Sequence, residues 1–369
     1  MKKNRLISAV ALALTALIIT AAAAGDAADP LISLSYLTGA YRDTVNAAVE
    51  ERLDTSDQTL TDKTAAKLAA IGATGNMERT DVWKETRLKS GDVLYGPSGL
   101  CVLILAGDVQ VTFDSGAVVD ITTGKTVESG SALSVDHRYM VAEDTAALFT
   151  VTSATAVVNY MGYYGFSYSG AIDYNAMAAA LKTMHLFRGS FTAFGSGFDL
   201  ELTPTRLQAL IMFIRVLGEE EAALAYTGTT PFDDIAPGTD AARYVGYAYE
   251  KGYTNGYTAK LWKPANTVNV YQYTEFILRA LGYSSAANTN LADTLERAQT
   301  AGVMTPTEAA AMKNVTFLRA HLVYLSYYAM DVPVAETGVP LREVLIGKGV
   351  FTWDEAAAAQ ALVTAPRIY

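Results

Sequence analysis

Arg206 stands where the pattern "TPTRLQALIMFIRVLG" predicts the start of a helix. A cation at a helix N-terminus is unfavourable in the field of the helix dipole unless an anion lies nearby. That anion is either a bound ligand or a carboxylate of the preceding loop, Asp199 or Glu201, and the sequence leaves both alternatives open. A guanidinium group can hold a ligand carboxylate through two parallel hydrogen bonds. Anion binding is therefore the first chemistry that the sequence suggests.

Catalytic motifs are not found. The segment "VDHRYMVAED" brings His137, Arg138, Glu143 and Asp144 close together, but a metal or acid–base site would need ligands from other strands, and no H-x-H or H-x-x-E spacing is present. The chain also lacks a G-x-S-x-G elbow, an H-E-x-x-H helix and a Walker loop. Its three histidines are far apart in sequence. We predict no metal site, no cofactor and no enzymatic activity.

The N-terminus and the charge indicate an extracellular protein. Residues 1–28 read as a secretory signal peptide, because two lysines and an arginine precede an apolar run and a cluster of alanines; an uncleaved anchor is the alternative. No other segment reaches the ~20 apolar residues of a membrane span. Cleavage near Ala24 would remove Lys2, Lys3 and Arg5 and move the formal charge from −10 to −13. So acidic a surface repels nucleic acid, which we exclude as a partner.

Cysteine usage agrees with this location. Cys101 is the only cysteine of the chain, so it cannot form an internal disulfide. A secreted protein without disulfides is typical of a bacterial surface.

Three regions follow the signal peptide. Residues 30–76 have the apolar spacing of one or two helices. Residues 77–168 change to short runs such as "CVLILAG", "VQVTF" and "ALFTVTS", separated by turn residues, which predict a compact antiparallel β roll or sandwich. Residues 172–369 consist of Ala-rich amphipathic helices. The predicted fold class is multidomain α and β, with an N-terminal helix or helices, an antiparallel β roll or sandwich and a C-terminal all-α repeat module.

The C-terminal region repeats one two-helix unit. A gapless alignment of the first two copies places Arg206 on Val270 and Phe198 on Trp262, and in the third copy Arg319 takes the position of Arg206. An amphipathic helix pair cannot bury its apolar stripe alone, so the copies must pack on one another. The three copies span about 172–224, 231–284 and 288–369.

The second copy carries "FDDI" and "GYTNGYTAKLWKP", followed by a helix that ends in "LG". It resembles the S-layer homology (SLH) repeat, whose usual form is an F-x-D turn, a helix, G-x-x-x-G-Y-x-D-G-x-F-x-P, and a T-R-A-E motif leading a helix that ends in L-G. The resemblance covers roughly residue 173 to the C-terminus and is weakest in the third copy. It implies a three-repeat helical module that binds secondary cell-wall polysaccharide non-covalently, often through a pyruvate ketal on the sugar.

The resemblance also implies which residues line the grooves between repeats. T-R-A-E appears as "TRLQ", "NVYQ" and "LRAH" in the three copies, so the arginine survives twice and is replaced by Val270 once. The glutamate becomes glutamine or histidine, which removes the charge that would hold the arginine in place. The implied glycan-binding residues are Arg206, Arg319, Gln208, Gln272, Tyr257, Trp262 and His321.

Two roles are open to the aromatic residues of the loops. A ring can stack on the apolar face of a sugar, or it can fill the core between helices, which is commoner at matching positions of repeats. Core packing is favoured for Trp262 and Phe198. Tyr257 is the better surface candidate.

These observations lead us to expect a non-catalytic secreted protein anchored to bacterial cell-wall polysaccharide, pyruvylated or not, with the β domain presented outward. Self-assembly in a surface layer is a further expectation. Two alternatives stay open. One is a structural or assembly protein whose repeats no longer bind glycan, and the other is a polysaccharide-active enzyme with its site in the β domain.

Overall fold

A computed structural model describes residues 38–70, 77–192, 195–285, 287 and 290–368 of the chain. The predicted signal peptide, residues 1–28, lies outside the described residues. The chain divides into two compact units, Met1–Lys67 and Leu68–Tyr369. Within the described part of the chain, no helix is both long enough and apolar enough to cross a membrane.

Helix α1 spans Ala40–Ala70 and confirms the predicted N-terminal helix. Its 31 residues are mostly polar, and the described side chains are largely exposed to solvent. Val49 and Leu53, for example, are 50% and 57% exposed. Thr44 and Thr55 satisfy their hydroxyl groups locally by donating to carbonyls four residues earlier in the helix.

Nine strands form one antiparallel sheet that curls into a half-barrel, which confirms the predicted β roll. Neighbouring strands follow the order β4-β8-β2-β9-β3-β7-β5-β6, with β1 pairing to β9 as well. The strands are β1 (Glu78–Lys89), β2 (Val93–Pro97), β3 (Cys101–Ala106), β4 (Val109–Thr112), β5 (Ala117–Asp120), β6 (Lys125–Val127), β7 (Arg138–Ala142), β8 (Ala146–Val151) and β9 (Thr155–Ser167).

Alternating side chains of this sheet fill its interior. On β3, Val102 and Ile104 are completely buried while Cys101 and Leu103 are half-buried on the opposite face. Such alternation is what a pleated strand with one core-facing side produces. The interior is a single apolar cluster that also includes Phe149 of β8.

The C-terminal region is helical, with one short hairpin. Its elements are α2 (Tyr174–Thr183), the hairpin strands β10 (Ser190–Thr192) and β11 (Gly195–Gly197), α3 (Arg206–Val216), α4 (Glu220–Leu224), α5 (Asp240–Glu250), α6 (Val270–Ala280), α7 (Thr294–Thr300), α8 (Pro306–Met312), α9 (Arg319–Ala329), α10 (Leu341–Gly347) and α11 (Trp353–Leu362). Their buried residues form one continuous apolar cluster from Tyr174 to Ala359, so the copies share a single core.

The first helix of each copy ends in the same kind of turn. Gly252 and Gly302, which follow α5 and α7, have φ angles of +75° and +77°. His185 follows α2 with φ of +61°, a left-handed conformation that costs an L-residue energy and that glycine adopts freely. The next residue then donates to the carbonyl five residues back, as in Tyr253 to Ala248 and Val303 to Ala298.

Candidate functional site

The copies are joined at the N-termini of their second helices. The Arg206 amide donates to the Asn266 carbonyl at 2.8 Å, four residues after Trp262. The Arg319 amide donates to the Leu202 carbonyl at 2.9 Å, four residues after Phe198. Phe198 and Trp262 are equivalent positions. The second helix of the first copy is therefore hydrogen-bonded to the loop of the second copy in the same way as the second helix of the third copy is to the loop of the first.

Arg206 is held by the loop of the second copy and not by its own. Its Nε donates to the Trp262 carbonyl at 3.0 Å, and its guanidinium carbon lies 4.9 Å from the centre of the Trp262 ring. The side chain is nearly buried, with 5% of the residue exposed. Burial lowers the pKa of this guanidinium, whereas the Asp234 carboxylate raises it. The group is still charged at any physiological pH.

A cavity of about 310 Å³ opens at this guanidinium, and we call it the Arg206 groove. It brings together a second guanidinium, Arg279 of α6, and the amide groups of Asn255 and Gln272. The remaining wall is the turn between α5 and α6, together with Leu291. The complete lining consists of Arg206, Asn255, Gly256, Tyr257, Thr258, Ala259, Gln272, Arg279 and Leu291.

The two guanidinium groups of the groove differ in their charge balance. Arg279 forms a buried ion pair with Glu275 at 3.0 Å, and a weaker contact of 3.4 Å reaches Asn255 Oδ1. Arg206 contacts a carbonyl and an aromatic face, neither of which neutralises its charge. In the described part of the chain no carboxylate forms an ion pair with Arg206. The groove can therefore accept one anionic group without displacing a protein carboxylate.

Arg319 lies in a more acidic setting. Its Nε donates to the Phe198 carbonyl at 3.2 Å, and the Phe187 ring centre is 5.9 Å from its guanidinium. Burial lowers its pKa, and Asp199 and Glu201 raise it. These two carboxylates were offered by the sequence as partners of Arg206, but the structure places them at Arg319. The reason is that each arginine reaches into a neighbouring copy.

The residues that replace the motif glutamate have a shared structural role. Gln208 Oε1 accepts from the Thr205 amide at 3.0 Å, and Gln272 Oε1 accepts from the Asn269 amide at 3.3 Å. In return, the N-cap side chain, Thr205 or Asn269, accepts from the backbone amide of the glutamine, which completes a capping box. Only Gln272 lies in the groove of Arg206. The sequence had placed Gln208 beside that arginine.

His321 caps the third copy through an imidazole nitrogen. Its Nδ1 accepts from the Leu318 amide at 3.0 Å, which requires the neutral ring. Burial lowers the pKa of His321 to about 4, so the neutral form is the one present near neutrality. The ring packs against Phe317 and Tyr174.

Trp262 and Tyr257 have opposite positions in the same loop. The Trp262 side chain is fully buried, and its Nε1 donates to Thr254 Oγ1 at 3.1 Å. It fills the core and cannot stack on a sugar in this structure, which corrects its assignment as a glycan contact. Tyr257 is 56% exposed and lines the groove, and the Lys263 ammonium lies 3.6 Å from its ring centre.

Two residues that shape the site are not among the residues predicted from the sequence. Asp234 lies outside the lining of the groove but fixes the loop, because its two carboxylate oxygens accept from the amides of Trp262 and Lys263 at 2.8 and 2.7 Å. It is the second aspartate of "FDDI". Arg279 aligns with Arg215 in the gapless register of the first two copies, and this match was the available signal.

A second cavity lies between the sheet and the first copy. It has a volume of about 170 Å³ and mostly apolar walls, among them Leu105, Val157 and Leu200. Its cation, Arg87, forms an ion pair with Glu85 at 2.5 Å. This arrangement offers less to an anion than the Arg206 groove does.

His137 and Arg138 of the β domain contact different partners. His137 Nδ1 lies 2.8 Å from Asp120 Oδ2, and Asp120 also accepts from the Thr122 and Thr123 amides of the following turn. Arg138 points elsewhere, with its guanidinium 4.9 Å from the Trp83 ring centre. Among the described residues, no group of three His, Cys, Asp or Glu side chains could hold a metal ion.

No protein-family model matches the chain, and no curated protein matches it. The resemblance to S-layer homology repeats therefore depends on the motifs of the sequence itself.

Proposed function

We propose that this protein is a secreted, non-catalytic cell-surface protein that binds an anionic cell-wall polysaccharide through the Arg206 groove. One observation carries the proposal. In a chain of net charge −10, the Arg206 guanidinium lines an open cavity beside a second guanidinium and has carbonyl and aromatic contacts that leave its charge available.

The chemistry suits a carboxylate on a sugar, such as a pyruvate ketal. The Arg206 Nε is used by the Trp262 carbonyl, so the Nη atoms are the donors that face a ligand. Asn255 and Gln272 supply neutral hydrogen-bonding groups at the same cavity, and the exposed ring of Tyr257 offers a stacking surface. A short-range contact of this kind is not cancelled by the distant acidic surface, because screening acts beyond ~8–10 Å.

Co-sedimentation with purified cell walls tests the proposal. The mature protein should sediment with walls that carry the pyruvylated polymer and much less with walls that lack it. Arg206→Ala should weaken binding by about 10- to 100-fold, since it removes a charge-assisted hydrogen bond worth ~1.5–3 kcal/mol. Arg206→Lys keeps the charge without the planar fork, so its affinity for the walls should lie between those of the parent and of Arg206→Ala.

Two further variants act as controls. Arg319→Ala should have the smaller effect, because Asp199 and Glu201 compete with an anionic ligand there. Arg243→Ala removes an exposed arginine that pairs with Asp240 on the surface of α5, and it should change nothing. If the double variant Arg206→Ala/Arg319→Ala sediments like the parent, the groove assignment is wrong and an assembly function without glycan binding takes its place. Release of reducing ends would instead support an enzyme.

A further inference from the structure

The third copy has a buried carboxylate that the chain's own C-terminus neutralises. Glu308 of α8 has no exposed surface. Arg367 donates to it with two nitrogens, Nε to Oε1 at 2.7 Å and Nη2 to Oε2 at 2.9 Å. This is the two-pronged geometry that makes a guanidinium–carboxylate pair strong and specific.

Further contacts hold the tail in a defined register. Arg367 Nη2 also donates to the Val303 carbonyl at 3.0 Å, and its guanidinium carbon lies 4.6 Å from the Tyr328 ring centre. The Ile368 carbonyl accepts from Thr305 Oγ1 at 2.8 Å. Tyr324 bridges Glu308 and the Arg367–Ile368 segment, because its hydroxyl donates to Glu308 at 2.5 Å and accepts from the Ile368 amide at 3.4 Å.

The first and second copies each carry an arginine at one matching position of the second helix. Arg215 pairs with Glu220 at 2.7 Å in the first copy, and Arg279 pairs with Glu275 at 3.0 Å in the second. The equivalent position of the third copy is Tyr328. Arg367 reaches the carbonyl that follows the glycine turn, at Val303, as Arg279 reaches the corresponding carbonyl of the second copy.

We define the third-copy cleft by Val303, Thr305, Glu308, Tyr324 and Tyr328. Three of these residues take positions that line the Arg206 groove: Thr305 matches Asn255, Glu308 matches Thr258 and Tyr328 matches Arg279. Arg206 is the arginine that the first copy contributes to the Arg206 groove. Its equivalent in the second copy is Val270. The third copy adds a buried glutamate instead. A buried carboxylate without a cation is costly, so the cleft demands a cationic occupant.

We propose that the third-copy cleft is a binding site for an arginine-bearing peptide segment, and that the chain's own Arg367–Ile368 segment is its occupant. The site recognises a guanidinium group through Glu308 and the Val303 carbonyl, and it recognises the following peptide unit through Thr305 and Tyr324. Occupancy by Arg367 leaves this cleft without a cation to offer an anionic glycan. The proposal is independent of the glycan-binding function.

A labelled peptide with the sequence of residues 363–369 tests the site on the full mature chain. Fluorescence polarisation should detect peptide binding to Arg367→Ala, whose own tail no longer supplies the guanidinium. The parent should bind the peptide at least about 10-fold more weakly, because its tail competes at high effective concentration. The double variant Arg367→Ala/Glu308→Gln should not bind it, although glutamine can still accept from the Thr305 amide and preserve the helix cap.

Specificity for the guanidinium group has its own measurement. A peptide carrying lysine in place of Arg367 should bind Arg367→Ala more weakly, since an ammonium cannot reproduce the fork. Ethylguanidinium should raise the Tm of Arg367→Ala more than that of the parent, and ethylammonium should not. Peptide binding to Arg367→Lys is measured in parallel, so that the test stands if Arg367→Ala fails to fold. The proposal would be overturned if the single variant Arg367→Ala and the double variant bound the peptide equally well. It would also be overturned if neither Arg367→Ala nor Arg367→Lys bound the peptide.

Discussion

The Arg206 groove and the third-copy cleft share matching wall positions in the repeat but differ in the charged side chains that they contain. The groove holds two guanidinium groups around an open cavity, and among the residues that the structure describes only Arg279 is paired with a carboxylate. The cleft has a buried glutamate, and an arginine from the far end of the chain neutralises it. One scaffold therefore carries an arginine-lined cavity in one place and a buried, neutralised carboxylate in another.

The difference shows which features of the repeat are structural. Both places keep a glycine turn after the first helix and a side-chain acceptor for the N-cap amide of the second helix, supplied by Gln272 and His321. Backbone groups must be paired wherever they are buried, so a left-handed turn, at His185, Gly252 or Gly302, and an N-cap acceptor persist in every copy. The charged side chains are free of that constraint, and they differ between the two places.

The largest expected effect comes from Trp262→Ala. The side chain is completely buried, so its loss should cost about 3–5 kcal/mol of unfolding free energy. The Arg206 side chain would lose an aromatic face as well, so glycan binding should fall with stability. Urea unfolding and co-sedimentation measure the two effects.

The comparison predicts that this damage stays local. Peptide binding to the third-copy cleft, measured with Arg367→Ala as the background, should survive Trp262→Ala under conditions in which both proteins are folded. Phe198→Ala is the matched variant at the equivalent position of the first copy. It should cost less, because Phe198 is only partly buried.

A second prediction uses pH to distinguish the helix cap formed by His321 from the one formed by Gln272. His321 is neutral in the folded protein with a pKa of about 4, whereas the unfolded chain has an ordinary value near 6.5. Protons therefore bind the unfolded state first. The stability that this group contributes is complete above pH ~6.5, falls as the pH is lowered and is lost by pH ~4, with a total of up to about 3 kcal/mol.

His321→Gln provides the control for this titration. Glutamine can accept from the Leu318 amide, as Gln272 accepts from Asn269, and it does not titrate. The variant should lose less stability than the parent between pH 6.5 and 4 in urea unfolding. Parallel curves for the two proteins would mean that the His321 pKa is not depressed.

The sequence predicted the fold well where local patterns decide it. Helices such as α5 and α6 follow from amphipathic spacing, and the strands with alternating apolar residues were recognised. Strand β1 was missed, because "ERTDVWKETRLK" has charged residues at most positions and few that face the core. The left-handed turn at His185 was missed too, since histidine carries no turn signal of the kind that glycine does.

The candidate site was less accessible from sequence. Arg206 was recognised from its place at a helix start, but its partners are Trp262 and Gln272 of the next copy, which only the packing of copies brings together. The pairing of Arg367 with Glu308 joins residues 59 apart. No spacing rule predicts such a contact, because it depends on where the last helix ends in space.

The smallest expected effect comes from Gln272→Glu and its matched variant Gln208→Glu. Each places a carboxylate in the first turn of a helix while keeping an acceptor for the N-cap amide, so each should add about 0.3–1 kcal/mol of stability at low salt. Only Gln272 lines the Arg206 groove. Its conversion makes the groove more like the acidic cleft, so affinity for an anionic glycan should fall a few-fold with Gln272→Glu and stay unchanged with Gln208→Glu. Co-sedimentation at low and high salt measures this difference, which should shrink as salt screens the added charge. A rise in affinity with Gln272→Glu would mean that ordering of the Arg206 side chain outweighs repulsion of the ligand.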